Sequence, residues 1–458
     1  MPAASGPVVR SKSTMLKISL YVSAVLCAVL VVCVTVLLLF QDTFINGYFK
    51  NRIIKEFSKS HPALSLRISG LHYTPLKNRI AFNGIALTSN DSAFSCSIGN
   101  FSVSGIAWIR IFRHEDIASR AVNRSVADAR EIVLNFRKQR YELRCGRLRA
   151  SLPDSEISVD ALELHPLVVD DRLFSSSKYR QTRFRISIPH CKVSGADCLG
   201  LLQGKAYRAD SVKVDNPLFD ILANMDTPYN RDVPRPLMPC EALSLTKKII
   251  RVNSLNLLNG RLKYAERYAI GLPSAEVTFD ALRLSAEGIT NHAPPGACAV
   301  IHGTGVFMKN STMKIHMFIP VISPKIPIRY SGTLDTMDIT RLNSFLEIGE
   351  GLRIKSGTLQ NAAFDITIAT GNASGSVRAI YKDLNIAAID KGTGSEKGVS
   401  NRIISFMTNA LKIRGTNEPD KSGSMKIGVV KYTRKRDDTF LQLVWFSLRS
   451  GIGDVVGF

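Results

Sequence analysis

The chain lacks every spacing that marks a catalytic or metal centre. Its eight histidines, at positions 61, 72, 114, 165, 190, 292, 302 and 316, include no H-E-x-x-H or comparable ligand pattern. Its eight cysteines form no C-x-x-C pair and are too scattered for a disulfide framework. Cys191 and Cys198 are close enough in sequence to bridge in an oxidising compartment, but free cysteines usually serve as small buried hydrophobes. His190, Cys191 and Cys198 come nearest to a metal cluster, and that set is incomplete for a closed tetrahedral zinc site. Gly303-Thr304-Gly305 and Gly349-Glu350-Gly351 lack the strand–loop–helix setting and the Lys-Ser/Thr of a phosphate loop, so they read as turns. There is no G-x-S-x-G elbow, and no close carboxylate pair stands out on sequence grounds. These gaps argue against an enzyme, a bound metal or a cofactor.

Acidic charge is also scarce: 38 Asp and Glu face 60 Lys and Arg, a net charge of +22 over 458 residues. Only Arg10, Lys12 and Lys17 of the basic residues precede residue 18, so the excess is spread along the chain. A surface of that sign attracts anionic lipid headgroups or nucleic acid, and it also keeps a protein soluble.

What the sequence does contain, first of all, is an anchor. Ile18 to Phe40 is a run of 23 residues without a charge, 15 of them Leu, Ile, Val or Phe. Each of these favours insertion by about 0.3–0.6 kcal/mol, a total on the order of 6 kcal/mol. As a helix the run is roughly 34 Å long, enough for a bilayer core of about 30 Å. It ends in Leu38-Leu39-Phe40-Gln41, a poor cleavage site, so the helix is expected to remain. Arg10, Lys12 and Lys17 lie nearer to it than Lys50, Arg52 and Lys55 do, which predicts a cytoplasmic N-terminus. The bulk of the chain then lies outside the cytoplasm, away from nucleic acid.

Beyond the anchor the period changes twice. A helical stripe through Phe44, Ile45, Tyr48, Phe49, Ile53, Ile54 and Phe57 stops at Pro62. From there the spacing is two: Ile80 and Phe82, then Ile85 and Leu87 around Asn83-Gly84; Ile132, Leu134, Phe136; Tyr141, Leu143, Cys145; Ile157 and Val159, then Leu162 and Leu164; Phe184, Ile186, Ile188; Met313, Ile315, Met317, Ile319. This predicts strands of about five to seven residues, apolar on one face and polar on the other. No ten-residue helical pattern separates them, which disfavours a parallel α/β sheet. Helical stripes return at Ile403, Ile404, Met407, Ala410 and Leu411, and again at Phe440, Leu441, Val444, Leu448 and Ile452 after a strand over 425–432. The last helix reads either as a cap on the sheet edge or as an interfacial helix beside the basic run Lys431 to Arg436. Amphipathic helices usually pack on their own domain, which favours the cap.

The layout resembles the AsmA-like proteins of the Gram-negative envelope. The likeness rests on Ile68 to Tyr73 with Ile80 to Leu87, on Leu257 to Glu266 with Val277-Thr278-Phe279, and on Gly332 to Asp335, Arg341 to Asn343, Ile354 to Leu359 and Gly375 to Leu384. The closing Trp445 to Ile452 is similar to the end of uncharacterised members. The family has no catalytic motif to transfer. The resemblance implies an inner-membrane protein whose elongated β-groove handles phospholipids between membranes or supports outer-membrane assembly.

The expectation is therefore a mainly β fold: a transmembrane helix, then an elongated, repetitive antiparallel sheet or groove, then short C-terminal helices. Its divisions are a cytoplasmic tail (1–17), the span (18–40), a juxtamembrane helix (41–61), a β-rich periplasmic region (62–398) and a helix–strand–helix cap (399–458). Phospholipids, with anionic headgroups, are the expected partners, along with other envelope proteins. Phe364, Ile366 and Ile368, on one face of a strand in the best-matching stretch, are the candidate lipid-groove residues. The competing expectation is a structural scaffold in which that face is a closed core.

Overall fold

The computed structural model describes residues 50–74, 77–105, 124–323, 325–390 and 413–457, together with Val29, Val31, Val32 and Gly47. The predicted tail, nearly all of the predicted span and the stripe from Ile403 to Leu411 lie outside them. Among the described residues no helix is long and apolar enough to cross a membrane.

The fold is mainly β, 55% strand and 17% helix, in one mixed sheet of 18 strands. The strands are β1 (Leu64–Thr74), β2 (Arg79–Ser89), β3 (Phe94–Ser104), β4 (Val126–Phe136), β5 (Tyr141–Ser151), β6 (Glu156–Pro166), β7 (Thr182–Ser194), β8 (Ala206–Asp215) and β9 (Leu218–Asn224). After them come β10 (Ile249–Arg267), β11 (Ala275–Thr290), β12 (Cys298–Phe307), β13 (Ser311–Pro320), β14 (Ile328–Leu334), β15 (Met337–Asp338), β16 (Leu352–Ala369), β17 (Asn372–Ala388) and β18 (Gly428–Thr433). The described helices are α1 (Lys50–Ser60), α2 (Asp170–Ser175), α3 (Cys198–Leu202), α4 (Pro239–Leu245), α5 (Asn343–Gly349) and α6 (Phe440–Val456).

Consecutive strands pair antiparallel from β1 to β7. β8 and β9 then lie end to end beside β7 and together fill one strand position. β10 runs parallel to both. The sheet is therefore mixed, where the sequence predicted an antiparallel one. The chain between β9 and β10 carries α4 back to the starting end of β8, and a connection of that length is what a parallel neighbour requires. Antiparallel pairing resumes from β10 to β18, with the two-residue β15 beside β16.

The strands are longer than predicted because the expected breaks are kinks, not turns. Gly84 (φ 60°), Glu131 (55°), Ala161 (51°), Asn216 (52°), Asn259 (53°) and Ala281 (48°) all adopt left-handed conformations. The register lines them up. Gly84 falls opposite Ser69 and Gly99; Glu131 falls between Gly99 and Gly146; Ala161 falls between Gly146 and Pro189. Asn216 continues the row and Asn259 stands next to it. One interruption thus crosses the sheet from β1 to β11. Pro189 is accommodated here because the ladder is already broken at its position. A left-handed residue shifts side-chain alternation, so apolar residues three apart reach the same face. Accordingly Ala129 with Ile132 across Glu131 and Val159 with Leu162 across Ala161 join one cluster, and on the intervening strands Ile98 with Phe101 and Cys145 with Leu148, across the facing Gly99 and Gly146, join it in register.

The main core lies under β13–β18. Tyr330, Ile366, Val377 and Val430 are buried there against Leu443 and Val455 of α6. Helix α6 approaches through small residues: a Cβ on Gly451 would stand 2.5 Å from Val377 Cγ2 and 2.7 Å from Val430 Cγ2. Its buried face is Leu443, Ser447, Gly451 and Val455, while Leu441 and Ile452 of the predicted stripe are exposed. Phe440, Val444 and Leu448 of that stripe pack against the core, but the side closest to the sheet also uses Ser447 and Gly451, because close packing on a sheet selects small residues. Thr439 and Gln442 form a capping box at its start, and Gly457 (φ 104°) ends it.

Helix α6 also seals the last strand. The Val429 amide donates to Asp454 Oδ2 at 2.7 Å and the Lys431 amide to Ser450 Oγ at 3.2 Å, so edge N–H groups are satisfied by helix side chains. At the other edge α1 packs along β1, with Lys50 Nζ donating to the Ser69 carbonyl at 3.2 Å.

Candidate functional site

The two halves of the sheet are covered differently. The described helices pack on β1 (α1), on β9 and β10 (α2), on β8 (α3), on β13 (α4), on β11 and β16 (α5) and on β16–β18 (α6). Strands β2–β6 pack only on their sheet neighbours among the substantial contacts of the described residues. Their apolar face consists of Ile80, Phe82, Ile85 and Leu87 on β2, Cys96, Ile98, Phe101 and Val103 on β3, and corresponding residues on β4–β6. Only Ala129, Ile132 and Cys145 at its centre are fully buried; the flanking side chains remain partly exposed. Phe82 and Phe101 stack across the strands with centroids 5.7 Å apart.

The opposite face of these strands is polar and internally paired. Asp128 accepts hydrogen bonds from Arg130 (3.1 Å) and Arg147, Glu142 pairs with Arg144, His190 with Asp160 (2.6 Å), and Lys192 with Glu156 (2.7 Å). Burial works to raise the Asp128 carboxyl, but the arginine hydrogen bonds outweigh it and hold the group below its ordinary value. The charged face therefore sits in water, and among the described residues no helix covers the apolar face.

Phe364, Ile366 and Ile368, the residues marked from sequence, do share one face of β16, but in the covered half. Ile366 is 0% exposed, packed in the core beneath α6, and Phe364 and Ile368 are buried beside it. The sequence did list the strands of the open half but gave no reason to prefer them. Alternation looks alike whether a helix covers it or not.

Chemistry elsewhere is sparse among the described residues, where no group of three or more His, Cys, Asp or Glu could hold a metal. His190 is engaged with Asp160. Cys191 and Cys198 are free thiols. Burial pushes the thiols of Cys96, Cys145, Cys191, Cys198 and Cys240 up from their ordinary value, which reduces the thiolate needed for nucleophilic work. No protein-family model matches the chain, and no characterised protein matches it significantly in sequence.

Proposed function

We propose that this chain is a non-enzymatic, membrane-anchored envelope protein that holds phospholipid acyl chains on the apolar face of β2–β6. In this reading residues 18–40 span the inner membrane with the N-terminus in the cytoplasm, and the sheet stands in the periplasm as an elongated groove. The chain then belongs with the AsmA-like proteins it resembles. The observation that carries the proposal is the asymmetry of cover: apolar side chains partly exposed on β2–β6, against a fully packed core under β13–β18.

The dimensions support it. A lipid tail occupies one leaflet, roughly 15 Å of a core about 30 Å thick. Strands β2–β6, about 4.8 Å apart, span roughly 19 Å between their outer axes, so one tail fits across them. Each methylene removed from water contributes about 0.8 kcal/mol, and a dozen half-covered ones sum to the order of 5 kcal/mol.

The test is mass spectrometry of lipids bound to the purified full-length chain, with a photoreactive residue at Phe101 and, separately, at Ile366. The reading expects phospholipid adducts at 101 and none at 366. A chain free of lipid, with no adduct at 101, favours the scaffold reading instead.

A further inference from the structure

A second apolar surface lies at the ends of β8 and β10. Both strands start there, side by side: Ile249 N–H donates to the Lys205 carbonyl at 3.4 Å, and the two run parallel from Ala206 and Ile249 onward. Each is preceded by a short helix, α3 before β8 and α4 before β10. Asn291 fixes the second turn, its side-chain amide donating to the carbonyls of Thr246 (3.0 Å) and Lys248 (2.8 Å). The resulting tip carries Leu202, 74% exposed, and Leu245, 68% exposed, with Leu201 at 41%.

The segments that carry these leucines are basic. The segments 198–208 and 242–251 contain Lys205, Arg208, Lys247, Lys248 and Arg251 and not one Asp or Glu. The carboxylates that flank them are engaged: Asp197 accepts from the Gly200 amide at 2.8 Å and pairs with Arg208 at 4.0 Å, Asp210 accepts from the Asn253 side chain at 3.0 Å, and Glu241 accepts from Arg235 at 2.7 Å, which leaves Lys205, Lys247 and Lys248 as the basic groups nearest the leucines. Lys248 lies over the Tyr207 ring, 5.3 Å from its centroid, and donates to its hydroxyl at 3.1 Å.

We infer that this tip docks on an anionic lipid surface, with Leu202 and Leu245 entering the headgroup boundary and Lys205, Lys247 and Lys248 meeting lipid phosphates. Leucines projecting from a ring of lysines have no partner in the described residues that would keep them from water. Such a combination favours a negatively charged apolar boundary over a protein surface that would need matching carboxylates. The tip lies at the strand ends opposite to the start of β1: β8 begins where β7 ends, whereas Leu64 of β1 pairs with Ser89 at the other end. The inference stands whether or not β2–β6 hold lipid.

The experiment uses full-length chain held in zwitterionic nanodiscs and mixed with vesicles that contain about one-third phosphatidylglycerol. Flotation reads how much nanodisc is captured. Wild type is expected to be captured by anionic vesicles and not by purely zwitterionic ones. Lys205→Glu with Lys247→Glu should reduce capture roughly tenfold or more, and Leu202→Ser with Leu245→Ser should reduce it as well. All four positions are exposed, so circular dichroism should be unchanged; the single variant Leu202→Ser serves if a double variant misfolds. Equal capture by neutral vesicles, no capture of wild type, or full capture of folded variants would each overturn the inference. Lipid bound to β2–β6 is measured separately, so failure of one result leaves the other standing.

Discussion

The side-chain amide of Asn259 donates to the side-chain oxygen of Asn216 at 2.7 Å, across the parallel junction between β10 and the β8–β9 position. Both residues are left-handed, with φ of 53° and 52°, and both stand in the row of kinks that crosses the sheet. Asparagine tolerates this conformation where β-branched residues do not. Asn216→Val should therefore destabilise by about 2 kcal/mol, from roughly 1–2 kcal/mol of backbone strain plus the lost hydrogen bond. Asn216→Gly, which keeps the backbone and loses only the bond, should cost less than about 1 kcal/mol. Urea unfolding followed by circular dichroism ranks the two; equal midpoints would remove the kink from the explanation.

Gly428 and Gly451 let α6 lie against β18. A Cβ on Gly428 would collide with the Gly451 carbonyl, which is backbone and cannot swing away. Gly428→Ala is expected to cost about 1–3 kcal/mol through overpacking. Amide exchange at Val429 and Lys431 should rise with it, because the helix that satisfies those N–H groups is pushed off. A variant with unchanged exchange would mean that the contact relaxes without loss of the seal.

Acid should loosen the same seal. Hydrogen bonds from Lys426 and from the Val429 amide hold the Asp454 carboxyl below its ordinary value. A carboxyl depressed in the folded state contributes stability above its unfolded pKa, about 3.9, and that contribution disappears as pH falls through the lower folded value. Exchange at Val429, taken relative to the intrinsic rate of an unprotected amide at each pH, is expected to be flat from neutral pH down to about 5 and to accelerate only in stronger acid. Asp454→Asn should exchange faster at neutral pH and show less of the acid-induced rise. Parallel pH profiles for the two proteins would assign the effect to other carboxylates.

The β class of the fold and the position of its apolar face were legible in the sequence, because period-two alternation depends only on which side chains meet water. Strand length was not. Ile157 and Val159 with Leu162 and Leu164 read as two short strands, yet they belong to β6, joined through left-handed Ala161. The same three-residue step separates Phe82 from Ile85, Ile98 from Phe101, Ala129 from Ile132 and Cys145 from Leu148. Its repetition along the chain was the available signal, since independent turns have no reason to recur at matching register. The parallel junction left no such trace: it depends on where the chain from Met225 to Lys248 returns, which is decided by packing far from that segment. Cover was equally invisible, because whether α6 lies on β16 or on another strand is a tertiary choice.

Ile98 and Ile366 set the proposed lipid-holding face against a core. Both are apolar, both sit inside strands, and both pair with a neighbouring isoleucine or aromatic residue, Ile98 with Ile132 and Ile366 with Tyr330. They differ in cover, since Ile98 flanks the cluster on β3–β6 and remains partly exposed while Ile366 is sealed under α6. A carboxylate at 366 would be buried without a partner, at a cost of several kcal/mol, comparable to the whole stability of a typical domain. Ile366→Asp is thus expected to be insoluble or to lose its circular dichroism signal. At 98 the carboxylate reaches water on the open face, so Ile98→Asp should stay folded, with a loss of about 1–2 kcal/mol from the cluster. Its bound phospholipid should fall below detection, because a charge in the middle of an acyl-binding surface must be desolvated by the tail that covers it. Folded Ile98→Asp with a normal complement of lipid would place the lipid elsewhere, and unfolding of Ile98→Asp as complete as that of Ile366→Asp would make β2–β6 a closed core.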